Sequence, residues 1–298
     1  MDVHLIDGTY ELFRQFFGQK GRSREAKDGL DVAAVVGVLS SVLTMLEEGA
    51  THLAVATDHR IESFRNEMWP TYKTSAGVAP ELLAQFPVLE DALAVMGVPL
   101  LAMDELEADD GLASAAAVAA DDPAVGRVLI WTPDKDLAQC VREDRVVQVD
   151  RRNKALLDES AVVAKFGVLP ESIPDWLALV GDSADGFPGL AGWGKQSAAV
   201  VLSHYVHLEA IPPDATSWDP ALLKRVRSAP TLAARLAEER ELAWLFRDLA
   251  TLRVDRSLVA GTAGLEWNGP LDTFGSMADY LGSPRLAERA AALARTAS

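Results

Sequence analysis

Four short apolar runs in this chain each lead into acids. Val3 to Ile6 ends at Asp7, and Leu53 to Thr57 ends at Asp58. Val98 to Met103 is followed by Glu107, Asp109 and Asp110, and Val128 to Trp131 by Asp134 and Asp136. A β-rich run that closes on an acid places it at the carboxyl edge of a strand, which in an open parallel sheet is where ligands bind. Between these runs, Val32 to Glu48 and Glu81 to Met96 carry apolar residues at helical spacing. Strands alternating with helices predict an α/β fold, a parallel sheet with helices on both faces. The Ala-rich stretch Gly111 to Ala120 favours helix, with Glu107 to Asp110 in a first turn that suits carboxylates.

Beyond residue 158 the strand signal fades. Asp158 to Phe166, Pro174 to Val180, Lys195 to Tyr205, Pro220 to Arg227 and Pro230 to Leu252 read as helices, several opened by Pro or an Asp/Ser cap. Gly181-Asp182-Ser183-Ala184-Asp185 falls in a stretch that also reads as helical, and Gly189-Leu190-Ala191-Gly192-Trp193-Gly194 reads as a glycine-rich hairpin between helices. The expected organisation is an α/β core over about 1–170 and a helical region over 171–298.

So many acids converging on one edge repel one another unless hard cations lie between them. On a helix Glu107 and Asp110 share a face while Asp109 points aside, and Asp134 and Asp136 can converge from a non-helical backbone. With Asp7 and Asp58 these form a candidate oxygen-ligand site, and Asp182 and Asp185 are placed to hold a second ion. Two Mg²⁺ or Mn²⁺ ions about 4 Å apart suit phosphodiester cleavage. The glycine hairpin reads either as a plain connector or as a nest whose successive N–H groups grip a phosphate, a sequence-independent hold suited to duplex backbone. Trp193 within it is expected to pack between the flanking helices.

The balance of 28 basic against 44 acidic residues, a net charge of −16, argues at first sight against a nucleic-acid partner. Net charge is a poor guide when acids concentrate in a metal site, and bases do gather locally. One group is Arg14, Lys20, Arg22, Arg24 and Lys27; others are Arg60, Arg65 and Lys73, and Arg142, Arg145, Arg151, Arg152 and Lys154. A single cysteine, Cys140, excludes internal disulfides and fits a reducing cytoplasm. No leader and no run near the ~20 apolar residues of a membrane span is evident.

Several motifs occur together in the order found in the 5′ nuclease (flap endonuclease) family. They are Leu5-Ile6-Asp7-Gly8; Asp58 followed by Phe64-Arg65 and Tyr72-Lys73; Glu107-Ala108-Asp109-Asp110; and Thr132-Pro133-Asp134-Lys135-Asp136-Leu137. Gly181-Asp182-Ser183-Ala184-Asp185 and the 189–194 hairpin complete the series, and the likeness runs over about residues 3 to 255. The chain resembles the N-terminal 5′-3′ exonuclease domain of bacterial DNA polymerase I and, ending without a polymerase, a stand-alone bacterial exonuclease.

The resemblance implies a PIN-like core, an arch or clamp at about 70–90, and a helix-three-turn-helix element that binds duplex DNA, often with K⁺. It implies a monomeric cytoplasmic enzyme that hydrolyses DNA at 5′ flaps, 5′ ends and branched duplexes with Mg²⁺ or Mn²⁺, in replication or repair. Asp7, Asp58, Glu107, Asp109, Asp110, Asp134, Asp136, Asp182 and Asp185 match the family's metal acids, and Arg65 and Lys73 its contacts to the scissile phosphate. Gly192, Gly194, Lys195, Gln196 and Ser197 match the duplex-binding hairpin. The chain departs from the family pattern at Gly186, where Asn is usual, at Ala76, where Arg is usual, and at Lys195-Gln196-Ser197, where Glu-Lys-Thr is usual. Residues 74 to 86 carry no Lys or Arg. Gly186 and Ala76 motivate an alternative, a DNA-structure-binding protein of the same fold with weak or no nuclease activity; an RNA-directed PIN-type nuclease is a third reading.

Overall fold

A computed structural model describes residues 1–18, 23–151 and 155–297. Lys20, Arg22, Arg152 and Lys154 of the basic groups therefore lie outside the described residues. Along the chain the elements begin β1 (Asp2–Asp7), α1 (Gly8–Gly18), α2 (Ala33–Glu47), β2 (His52–Asp58), α3 (Arg65–Met68), α4 (Pro80–Leu83), α5 (Gln85–Val95), β3 (Leu100–Met103), α6 (Ala108–Asp121) and β4 (Arg127–Trp131). They continue with β5 (Val146–Asp150), β6 (Ala155–Leu157), α7 (Glu159–Phe166), α8 (Ile173–Val180), α9 (Lys195–Tyr205), α10 (Pro220–Arg225), α11 (Ala229–Glu238), α12 (Arg240–Ala250), α13 (Phe274–Tyr280) and α14 (Arg285–Ala297). The fold is mixed α/β, and the chain divides into two compact units.

The first unit comprises Met1–Ile61, Ser75–Thr132 and Arg253–Ser298. Its strands run parallel in the order β3-β2-β1-β4. From Leu53 to Asp58 every residue of β2 is buried, as a strand covered on both faces requires. Alternation along the strands separates those faces. Ile6, Leu53 and Val55 join a core with Val35, Leu39 and Leu43 of α2 and Leu89 and Leu93 of α5. Ala56 faces α6 instead, where a Cβ placed on Gly111 would stand 3.6 Å from that of Ala56 and 3.1 Å from the Met103 sulfur. Small residues on both sides let α6 lie close to the strands that carry the acids.

The expected helix over Glu81 to Met96 is interrupted: α4 ends at Leu83 and α5 begins at Gln85. Pro87 is the reason, since it offers no N–H to the carbonyl of Leu83 and its ring crowds that turn. Leu82, Phe86 and Leu89, part of the stretch expected to form an arch, are buried in this unit's core. The C-terminal helices return to the same core through Phe274, Ala278, Leu286 and Ala290. Arg289 fixes α14 to α2 with a two-pronged ion pair to Glu47, at 2.7 and 2.8 Å.

The second unit comprises Glu62–Thr74 and Pro133–Leu252. β5 and β6 pair antiparallel, and α8 packs on α9 and α12 around Trp176, Leu177, Phe187, Trp193 and Phe246. Asp158 caps α7 by accepting the Ala161 N–H at 2.8 Å, and Gly167, at φ +77°, ends it. The expected single helix from Pro230 to Leu252 is two helices broken at Glu239. Buried positions run through Leu232, Ala233 and Leu236, then Ala243, Phe246 and Leu249. An unbroken helix would carry Glu239 and Arg240 through that apolar stripe, and the break brings both partly out to solvent. Among the described residues no helix is long and apolar enough to cross a membrane.

Truncating Leu286 to Ala should cost about 2–4 kcal/mol of stability in urea titrations, because it empties buried volume between α14 and α2. The same change at Leu271, 56% exposed, should stay within about 0.5 kcal/mol.

Candidate metal centre and its surroundings

In the first unit the acids at the strand ends are held by hydrogen bonds that also build the fold. Asp7 Oδ1 accepts the Tyr10 N–H at 2.8 Å and so caps α1, while Oδ2 accepts the Thr132 hydroxyl at 2.9 Å. Asp58 Oδ1 accepts the Ala108 N–H at 2.7 Å, tying β2 to the first turn of α6, and the Asp58 N–H donates to Thr9 Oγ1 at 2.9 Å. Asp110 is fully buried; its Oδ2 accepts the Glu107 N–H at 3.0 Å and its Oδ1 the Arg253 N–H at 2.8 Å. Glu107 is buried beside it and Asp109 is half-buried. Burial of carboxylates is offset here by backbone donors.

In the second unit three acids come within reach of a single ion. One carboxylate oxygen from each of Asp136, Asp182 and Asp185 lies within 4.8 Å of the others. Among the described residues this is the one such group of three or more acids, cysteines or histidines, so the first unit's acids make no comparable set. The sequence pairs Asp134 with Asp136 and sets Asp182 and Asp185 apart; the structure places Asp136 with Asp182 and Asp185. Asp134 is exposed, and its Oδ1 accepts the Asp136 N–H at 3.0 Å, fixing the turn that presents Asp136.

Asp182 and Asp185 do not lie on a helix. Gly181, at φ +78°, ends α8, and Asp182 and Phe187 then exchange backbone hydrogen bonds at 2.8 and 3.0 Å across a tight turn. The Asp182 carboxylate accepts the Ala184 N–H at 2.9 Å within it. This local bond competes with helix and is the reason the helical expectation fails.

Burial, followed by the charges of Asp134, Asp185 and Asp182, holds the Asp136 carboxyl well above the usual carboxylate range, against the opposing charge of Lys135. Its Oδ1 is buried without a hydrogen-bond partner. Three carboxylates at this spacing, one of which carries an oxygen lacking a donor, fit a hard divalent cation, whose bonds of about 2.0–2.6 Å span such a gap. Lys135 Nζ lies 2.5 Å from Asp182 Oδ2. Burial lowers the Lys135 pKa, but the hydrogen bond to Asp182 and the charges of Asp182, Asp136 and Asp134 outweigh it and raise it. Lys135 has no role in the sequence motif by itself; its place between two acids of a turn is the signal for it.

Lys73 Nζ lies 3.6 Å from Asp185 Oδ1, and its N–H donates to the Asp185 carbonyl at 3.0 Å. Arg65 is 1% exposed. Its Nε donates to the Leu249 carbonyl at 2.8 Å and its Nη2 to the Thr251 carbonyl at 3.2 Å, so it closes the C-terminal end of α12, where a cation is favoured.

The hairpin leading into α9 is partly self-satisfied. The Trp193 N–H donates to the Leu190 carbonyl and the Gly194 N–H to Ser197 Oγ, both internal uses that differ from an expected row of outward amides. Gly192, at φ +88°, and Gly194, Lys195 and Gln196 are exposed, while Trp193 is buried against Trp218 with ring centroids 6.5 Å apart.

Residues 2–167 match the family described as 5′-3′ exonuclease, N-terminal resolvase-like domain, and residues 168–273 match 5′-3′ exonuclease, C-terminal SAM fold. The 5′-3′ exonuclease of Aquifex aeolicus is 34% identical over 211 residues, 70% of this chain and 71% of that protein. That of Buchnera aphidicola is 31% identical over 272 residues, 90% and 87% of the two chains. DNA polymerase I of Mycobacterium tuberculosis is 32% identical over 253 residues, 82% of this chain, which thus spans 27% of that relative's length. Two solved structures share the fold. T5 5′-exonuclease with bound zinc has a TM-score of 0.67 at 15% identity, covering 100% of both chains. The catalytic core of Rad2 with a DNA substrate has 0.62 at 15%, covering 97% of this chain and 91% of that one.

Replacing Asp136 with Asn should shrink the rise in melting temperature that Mn²⁺ gives the parent, while leaving the melting temperature in chelator at or above the parent's. The substitution removes a buried carboxylate from a like-charged set, which relieves the metal-free protein and weakens the ion-bound one. Thermal scans with and without Mn²⁺ read both effects.

Proposed function

The chain belongs to the 5′-3′ exonuclease family, and we propose that it is a structure-specific, metal-dependent DNA 5′ nuclease acting on flaps, 5′ ends and branched duplexes in replication or repair. The observation that carries this reading is the Asp136, Asp182 and Asp185 set with its partnerless Oδ1. Family membership gives that set a substrate class.

In this reading Asp136, Asp182 and Asp185, with Asp134 beside them, hold one divalent cation, and Asp7, Asp58, Glu107, Asp109 and Asp110 serve a second. Mg²⁺ and Mn²⁺ suit an all-carboxylate donor set. When bound, such cations supply an activated water and charge stabilisation at the phosphodiester. Lys73 stabilises negative charge on the scissile phosphate as the bond breaks, and its approach to Asp185 supports that placement. Arg65 acts as a positioning residue, since its guanidinium is buried among carbonyls and not presented to a phosphate. Gly192, Gly194, Lys195, Gln196 and Ser197 hold duplex backbone, with K⁺ at the hairpin on the strength of the family resemblance. The division into a nuclease core to about residue 170 and a helical DNA-binding region beyond is part of the same reading, supported by family matches that meet at residues 167 and 168. The enzyme acts as a cytoplasmic monomer.

A 5′-labelled flap DNA and a sequence-matched RNA, each with Mn²⁺ and with chelator, test the reading. Cleavage of the DNA with Mn²⁺ and none in chelator is expected, and Asp134→Asn should lower the single-turnover rate by on the order of 10² or more while flap affinity stays within about five-fold. Tight binding without cleavage by the parent would establish the DNA-structure-binding alternative, and preferential cutting of the RNA would establish the RNA-directed one.

A flap threading past residues 74 to 86 meets no Lys or Arg. The slope of log affinity against log salt should therefore change by less than about one when the flap is lengthened from one to ten nucleotides on the same duplex. A slope that steepens with flap length would assign the single strand an electrostatic path.

A further inference from the structure

Gly186 lies in the turn between Asp182 and Phe187, and its surroundings show what glycine permits. Its φ is +82°, and a Cβ there would lie 2.0 Å from the Thr71 carbonyl oxygen and 3.6 Å from the Tyr72 Cα. The segment Trp69 to Lys73 thus rests on the backbone of Gly186 itself, closer than any side chain allows. Two hydrogen bonds fasten the contact: the Gly186 carbonyl accepts Trp69 Nε1–H at 3.0 Å and the Thr71 hydroxyl at 2.9 Å. Beyond it the Lys73 N–H reaches the Asp185 carbonyl at 3.0 Å. Beneath, the Trp69 ring meets Phe246 edge-on at 5.0 Å, and Phe246 stacks on Phe187 at 5.5 Å, so segment and turn share one aromatic floor.

We propose that Gly186 is a positioning residue, a backbone latch that joins the Trp69–Lys73 segment to the Asp182–Phe187 turn, so that cation binding by Asp136, Asp182 and Asp185 fixes where Lys73 stands. The proposal rests on the nuclease reading for its rate consequences alone. The latch ties a phosphate-stabilising cation to the acids of the ion site through main-chain contacts. Residues elsewhere in the fold need not move for occupancy of one to be felt by the other. Misplacing a catalytic group by about 1 Å costs on the order of 10² in rate.

Two variants of the full chain test it. Gly186→Ala drives the contact apart, and Thr71→Val, at an exposed position, removes one donor to the Gly186 carbonyl without changing bulk. In the parent, Mn²⁺ is expected to slow hydrogen exchange at the Lys73 amide at least ten-fold. That protection should vanish in Gly186→Ala and shrink in Thr71→Val. On flap DNA the single-turnover rate at saturating substrate should fall on the order of 10² in Gly186→Ala and severalfold in Thr71→Val, with DNA affinity within about three-fold. The Mn²⁺ concentration for half-maximal rate should rise in both. A purely structural role would lower the melting temperature while leaving the Mn²⁺ response of the Lys73 amide intact, and would overturn the proposal. So would a loss of DNA affinity at unchanged saturated rate, or variants that match the parent throughout. If the parent cuts no DNA, the nuclease reading fails, and the exchange measurement alone then supports or overturns the latch.

Discussion

Carboxylates buried side by side repel, and where the second unit gathers Asp136, Asp182 and Asp185 the surrounding structure is arranged around that repulsion. Lys135 sits on Asp182, Lys73 approaches Asp185, and Asp136, buried like Asp182, is left with an oxygen that no donor satisfies. In a medium of low effective dielectric such a group retains either a proton or a cation. The raised pKa of Asp136 and the fit to a divalent ion are two expressions of one cause.

The first unit treats its acids differently. Asp7, Asp58 and Asp110 are each pinned by at least one backbone N–H, and each pin joins an acid to an element that follows it in space: α1, α6, and the chain at Arg253. Such bonds fix the direction of the carboxylates at little reorganisation cost and brace the strand ends at the same time. Removing one of these side chains therefore disturbs the frame as well as any ion it serves, and amide substitutions separate the two effects better than truncation does.

Glycine decides geometry at the turn that carries Asp182 and Asp185. Gly181 ends α8 in a conformation other residues resist, and Gly186 admits a neighbouring carbonyl into the space of a side chain. Between them a stretch with helical composition becomes a tight loop, and two acids three apart in sequence meet a third from a separate turn.

Strands β1 to β4 and the helices α2, α5 and α6 between them, the acids that follow those strands, the family and most later helices are legible in the chain alone, because these follow from short-range periodicity and from motifs whose order is specific. α1, β5 and β6 were not anticipated, and the breaks at Ala84 and Glu239 were missed where Pro87 or a charged pair interrupts a stripe that otherwise reads as continuous. It takes the folded chain to show that Asp136 belongs with Asp182 and Asp185, that Arg65 donates to the carbonyls at the end of α12, and that Gly186 lies beneath Thr71. Each of these depends on which distant segments share a space and which polar atoms are thereby left with or without a partner. Local propensity and spacing carry no record of such long-range pairing.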